Sequence, residues 1–234
     1  HTKIYREERE RPVFLFCDFS PSMMFGTRLL TKSMQVAHIC SLISWSAAAH
    51  GDKVGALLFN QKQHKEVKPL ARKRAVLHIC HELMDLHATS HEQVASTEAD
   101  TQAFADACAR LRRLARPGSL VYLLSDFQHL GSAAQQHLSQ LSRHCEVRAI
   151  IVDDPIEHTL PQTRSIQRVS VSDGINQQRW LLGDRKEEDT YQRWREQQNS
   201  AMEQSLKQAN ISRYHISAGL PLDTQIQGMQ QERF

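Results

Sequence analysis

Arg-Pro-Val-Phe-Leu-Phe-Cys-Asp-Phe-Ser-Pro-Ser-Met-Met, residues Arg11 to Met24, decides the fold of this chain. Val13 to Cys17 is an unbroken apolar run, the pattern of a strand buried on both faces of a parallel sheet. It stops at Asp18, and Ser20 and Ser22 follow, so the strand delivers a carboxylate and two hydroxyls in quick succession. In open α/β sheets ligands gather beyond the carboxyl ends of the strands. On this stretch alone two readings stand level. One is an Asx or Ser turn leading into the next helix; the other is half of a cation site.

Working outward, the same grammar repeats. Leu30 to Ala49 is apolar around much of its girth and closes at His50-Gly51, which marks a long helix with a glycine stop. Lys53 to Phe59 is a second buried strand, and Lys65 to Leu70 is short and charged enough for a sheet edge. Val76, Ile79, Leu83 and Leu86 form one stripe on a second helix, about 71–86, whose His78, His81 and His87 read as solvated. Polar residues 88–100 read as a loop before a third helix, Thr101 to Leu114. The arginines at its end (Arg110, Arg112, Arg113, Arg116) suit the negative pole of a helix dipole.

Pro117-Gly118 turns the chain into Ser119 to Ser125, a third buried strand that ends, like the first, in Asp and an aromatic: Asp126-Phe127. A helix over 133–143, a fourth buried strand over Val147 to Val152, and Asp153-Asp154-Pro155 come next. Ile166 to Val171 and Gln178 to Leu182 alternate polar with apolar residues and predict a hairpin. Glu187 to Gln208 predicts a polar helix, and Arg213 to Ile216 a last strand. This alternation means an α/β domain, doubly wound, with a mostly parallel central sheet and helices on both faces, Rossmann-like in layout. The expected organisation is a charged segment over 1–12, one domain over 13–218 with a hairpin insertion at about 165–183, and a tail of undetermined structure over 219–234.

Composition narrows the function. Across 234 residues, 29 Lys+Arg face 26 Asp+Glu, a formal charge of +3. That balance makes no field that argues for nucleic acid or an anionic membrane. Five cysteines (Cys17, Cys40, Cys80, Cys108, Cys145) without a C-x-x-C pair, four of them inside apolar patterns, fit a reducing, cytoplasmic setting. No run of about 18 apolar residues marks a membrane span. The chain opens on His1 and enters a core strand almost at once, as a fragment would, which leaves the cytoplasmic face of a membrane as the other setting.

Asp18, Ser20, Ser22 and Asp126 are hard oxygen donors on one rim, few of them charged, which suits Mg²⁺ (or Mn²⁺). A further hydroxyl from the loop before the third helix would complete the set. Thr101 is the first choice and Thr97 the second, with a helix N-cap as the plain alternative for either.

D-x-S-x-S after a buried strand, a loop threonine and an Asp after another buried strand together resemble the metal-ion-dependent adhesion site of von Willebrand factor type A domains. Glu8–Met23 (E-R-E-R-P-V-F-L-F-C-D-F-S-P-S-M), Gly51–Phe59, Ala115–Phe127 and Val152–Pro155 narrow the likeness to the bacterial domain-of-unknown-function family 58, over roughly Tyr5 to Leu220. The resemblance implies metal ligation by Asp18, Ser20, Ser22 and Asp126. The usual Gly-rich threonine loop is replaced here by A-S-T-E-A-D-T. It also implies an adaptor or chaperone-like role beside a MoxR-type AAA+ ATPase.

Two functions follow as expectations. The first is a non-catalytic, metal-dependent protein-interaction module that takes a partner's carboxylate, with Phe19, Met23, Met24, Phe25 and Phe127 offering apolar contact or packing beneath the loops. The second is an Mg²⁺-dependent hydrolase or phosphoryl-transfer enzyme using Asp18 and Asp126. Against it, Ser20 stands where a second Asp would be needed, and no Gly-rich phosphate loop or G-x-S-x-G elbow is present. The one titratable group near Asp126, His129, reads as a solvated loop residue. A Rossmann dinucleotide site fails for want of G-x-G-x-x-G after the first strand.

Overall fold

The computed structural model describes residues 11–93, 101–158, 167–172, 177–182 and 185–231. β1 (Val13–Asp18) leads through a 3-10 turn (Pro21–Met24) to α1 (Lys32–Ala49), β2 (Val54–Phe59), β3 (His64–Leu70), α2 (Lys73–Gln93) and α3 (Thr101–Leu114). β4 (Leu120–Ser125), α4 (Ser132–Leu141), β5 (Glu146–Asp153) and the single turn α5 (Pro155–His158) follow. The hairpin strands β6 (Gln167–Ser172) and β7 (Gln177–Leu182), then α6 (Arg185–Gln208), β8 (Ser212–Ser217) and α7 (Leu222–Gln231), complete the order.

Six strands form one sheet in the order β3-β2-β1-β4-β5-β8, all parallel except β3, which runs antiparallel to β2. β6 and β7 pair antiparallel with each other as a separate ribbon. β1 is central, and its alternate side chains fill two cores. Val13, Leu15 and Cys17 pack with Val36, Ile39 and Cys40 of α1 and Ile79 and Leu83 of α2. Phe14 and Phe16 face the opposite layer, with Phe104 and Leu111 of α3 and Leu138 of α4. Burial on both faces explains why β1 carries no polar residue before Asp18. β3 buries only Val67 well, as its charged edge composition requires.

One boundary expected from the sequence needs correction. α2 continues past Leu86 to Gln93, through residues expected to be loop. Ser90 is the reason visible in the packing: it is buried, and its Oγ accepts a 2.8 Å hydrogen bond from Asn60 Nδ2. The tail, whose structure the sequence leaves undetermined, carries α7, which packs on α1. Of the five rim apolar residues, Phe19, Met23 and Phe127 are fully buried and Met24 partly, leaving Phe25 exposed at 41%.

Candidate metal and partner site

The strand order sets the place of the site. From β1 the chain moves first to β2 on one side and later to β4 on the other, so the β1/β4 boundary is the topological switch point. Cys17 pairs with Leu124 across that boundary, which sets the strand ends Asp18 and Ser125 side by side with Asp126 next in the chain. The structure brings together four of the five metal-ligand candidates. Asp18, Ser20, Ser22 and Asp126 are all buried at this rim.

Asp18 is held entirely by neutral donors. Its Oδ1 accepts the backbone N–H of Ser20 at 2.8 Å, and its Oδ2 accepts Ser125 Oγ at 2.6 Å. Burial first, and then the neighbouring charge of Asp126, push its pKa up; the hydrogen bonds oppose this without cancelling it. Among the described residues the Ser20 and Ser22 hydroxyls have only each other as side-chain partners, at a long 3.4 Å. Ser22 sits in the 3-10 turn that Pro21 starts, so the loop curls back over the end of β1.

Asp126 has a different environment. Its Oδ1 accepts the backbone N–H of Gln128 at 3.1 Å, while its Oδ2 takes the ammonium of Lys32 at 2.8 Å. Burial is the largest influence and would raise its pKa, but the charge and hydrogen bond of Lys32, with His129 and the Gln128 N–H, together outweigh it and the net direction is down. The following residue, Phe127, has a left-handed backbone (φ 55°), unusual for a bulky side chain. Its ring is pinned edge-on against Phe104 and its N–H donates to Ser125 Oγ, so packing and hydrogen bonding hold the strained turn that aims Asp126.

Lys32 is the residue that sequence reasoning missed. The first residue of α1, it has 0% exposure, and its Nζ bridges Asp126 and Glu157 Oε1 at 2.8 Å each. Burial pulls its pKa down, but the two carboxylates more than compensate and hold it above its ordinary value. Glu157 Oε1 also meets Arg195 Nη2 at 2.9 Å and Gln128 Nε2 at 3.1 Å. Glu157 Oε2 accepts the backbone N–H of Asp154 at 3.0 Å. Asp154, also buried, receives the Thr27 backbone N–H and hydroxyl and so ties down the loop between the 3-10 turn and α1.

His129 is buried rather than solvated, and neither ring nitrogen has a hydrogen-bond partner. Its position near Asp18 and Asp126 is registered in the electrostatics of both carboxyls. Thr101 opens α3 and is exposed, and no hydrogen bond joins it to the other four candidates. Thr97 lies outside the described residues. Among the described residues no group of three or more His, Cys, Asp or Glu side chains could hold a metal ion. A site here would therefore have to use hydroxyls. Two buried hydroxyls with unused lone pairs, beside two buried carboxylates, fit a hard divalent cation in donor chemistry.

A six-stranded sheet with a D-x-S-x-S rim at the switch point defines an α/β module of the von Willebrand factor A-like class. The chain belongs to the family described as protein of unknown function DUF58, whose model matches residues 1–203. Its fold is similar to that of BatB from Bacteroides thetaiotaomicron, at 16% identity and a TM-score of 0.57, covering 95% of this chain and 97% of that one. An aerotolerance-related membrane protein from Bacteroides fragilis, carrying multiple mutations to serine, gives 17% identity and a TM-score of 0.54, with 95% and 98% covered. Curated proteins give no match. Among the described residues no helix is long and apolar enough to cross a membrane.

Proposed function

We propose that this domain is a non-catalytic protein-interaction module that captures an acidic side chain of its partner at the β1/β4 rim in a divalent-metal-dependent way. The observation that supports this reading most is the pair of buried carboxylates, Asp18 and Asp126, on adjacent strand ends with two self-paired hydroxyls beside them. Asp18, Ser20, Ser22 and Asp126 are the residues to hold Mg²⁺ or Mn²⁺, with Thr101 or Thr97 as a third hydroxyl. The ion, when bound, supplies a positive centre with positions open to an incoming carboxylate.

The chain's own residues do the rest. Asp18 anchors the serine loop through the Ser20 N–H, and the buried rim keeps bulk water from screening the charge there. Exposed Phe25, Leu29 and Leu220 are available for apolar contact. The partner proposed is a MoxR-type AAA+ ATPase or its client, met in the cytoplasm or at the cytoplasmic face of a membrane. For the hydrolase alternative a base would have to activate a nucleophile, yet the serines bond each other and His129 bonds neither.

The test is a binding titration of the ATPase against wild type and Asp18→Ala, with Mg²⁺ and with chelator. Binding that needs both the metal and Asp18 supports the module. Metal-independent binding, or phosphoester turnover lost in Asp18→Ala, would refute it.

A further inference from the structure

Lys32 stands in a place where a cation is costly. It opens α1, where the unpaired N–H groups of a helix carry partial positive charge and disfavour another. It is also completely buried, and a lysine almost never is without a specific anionic partner. Solvation and helix electrostatics both argue against it, so the two carboxylates must account for its position. One of them, Asp126, is a carboxylate that the rim offers to a metal. The other, Glu157, is kept in place by Arg195 of α6, Gln128 and the Asp154 backbone.

We propose that Lys32 is the resident cation of this rim: its ammonium competes with a divalent ion for Asp126 and so sets the site's metal affinity low. This rests on the metal-binding reading given above and deepens it. One carboxylate oxygen of Asp126 is engaged by the ammonium and the other by a backbone N–H. A divalent ion arriving at the same carboxylate meets a fixed positive charge that water cannot screen. Asp18, whose donors are all neutral, is the carboxylate left for the ion to approach first. The consequence is a site that fills only when metal and an incoming carboxylate bind together, since the partner's negative charge offsets the ammonium.

The test is Mn²⁺ binding, followed by the electron paramagnetic resonance of the free ion, to wild type, Lys32→Met and the double variant Lys32→Met/Glu157→Gln. The double variant removes one charge of each sign and guards against a single substitution that fails to fold. Removing a unit positive charge next to a divalent ion tightens binding on the order of tenfold even with water-like screening. At least about tenfold tighter Mn²⁺ binding in the variants, lost again when Asp18→Ala is added, is the expected result. Equal or weaker binding than wild type would overturn the resident-cation role while leaving metal-dependent capture intact. No Mn²⁺ binding in any of the three, either alone or with acetate supplied as the incoming carboxylate, would overturn both.

Discussion

Replacing Lys32 with Met removes the centre of a buried charge cluster and leaves its carboxylates in place. The ammonium lies 2.8 Å from Asp126 and 2.8 Å from Glu157, and the side-chain exposures are 1%, 3% and 11%. At an effective dielectric of about 20, each contact is worth about 6 kcal/mol gross. Desolvating each ion returns several kcal/mol, so the intact cluster contributes little net stability. Breaking it is another matter. Glu157 keeps Arg195 as a counter-charge, but Asp126 retains no ion pair among the described residues, only a backbone hydrogen bond and the nearby His129 ring. Leaving a charge uncompensated in this way costs about 3–5 kcal/mol. For a domain of this size that lowers Tm by roughly 6–20 °C. Urea unfolding should show a lower midpoint at an unchanged m-value, because the area exposed on unfolding stays the same. The cycle with Asp126→Asn carries the argument further. The double variant should recover most of the loss, with a coupling at the upper end of the ~0.5–3 kcal/mol range for contacting residues. A single-variant loss below about 1 kcal/mol, or additive losses in the cycle, would mean the two charges do not depend on each other.

Asp18→Asn should leave the fold at least as stable as wild type at pH 7, despite complete burial. Because the folded-state pKa of Asp18 is raised, by burial and then by Asp126, wild type loses stability as pH rises from the unfolded value of about 3.9 to the higher folded one, and the variant's advantage should shrink on acidification. Denaturation at pH 7 and pH 5 checks this, and a large loss at pH 7 would contradict it. Gly26→Ala should destabilise by about 1–3 kcal/mol, because a Cβ there would run into the Leu30 carbonyl and the Thr31 backbone, neither of which can move freely; thermal melts give the value. His158 donates to Asp153 at 3.0 Å, which raises its pKa although half the ring is exposed. Its contribution is complete below the unfolded value of about 6.5 and fades as pH rises through the folded one. Proton NMR titration should find that pKa falling back in Asp153→Asn, and an unchanged value would rule the contact out.

The strands were legible because burial on both faces leaves no room for alternation. Val13 to Cys17 and Val54 to Phe59 are apolar in sequence and buried in the structure, and Leu120 to Leu124 is an apolar run in which only Leu120 and Tyr122 are partly exposed. Asp18 and Asp126 were legible for the same reason, as the first carboxylates after such runs. Lys32 was not. It follows Thr31, whose side chain caps α1, and looks like any charged residue in a first helical turn. Its partners lie 94 and 125 residues further along the chain, and no local pattern encodes a pairing at that distance. The one available signal was its sign, a lysine at the end of a helix that prefers an acid. His129 was misjudged because a loop position normally means solvent, whereas this loop is folded under by the Phe127 turn. α2 was cut short since the polar run after Leu86 hides the buried Ser90, whose burial depends on Asn60 from a different element.

Among the described residues the carboxylates and the Lys and Arg cations at the rim do not balance, and the imbalance points to one atom group. Asp18, Asp126, Asp154 and Glu157 are all buried, against the ammonium of Lys32 and the guanidinium of Arg195. Both cations lie on the Asp126 and Glu157 side. Asp154 is satisfied by the Thr27 and Ile156 donors and serves to tie a loop. Asp18 is left with two neutral donors, the neighbouring charge of Asp126 and the imidazole of His129 nearby, and its pKa is still pushed upward, by burial first. A carboxylate in that position lowers the stability of the fold unless a positive charge joins it. An Asp at position 18, rather than an Asn that could make the same two contacts once Ser125 turns its hydroxyl to accept, is what the proposed cation site requires. The serine hydroxyls beside it, bonded among the described residues only to each other, are donors that a metal ion can use and a proton does not need.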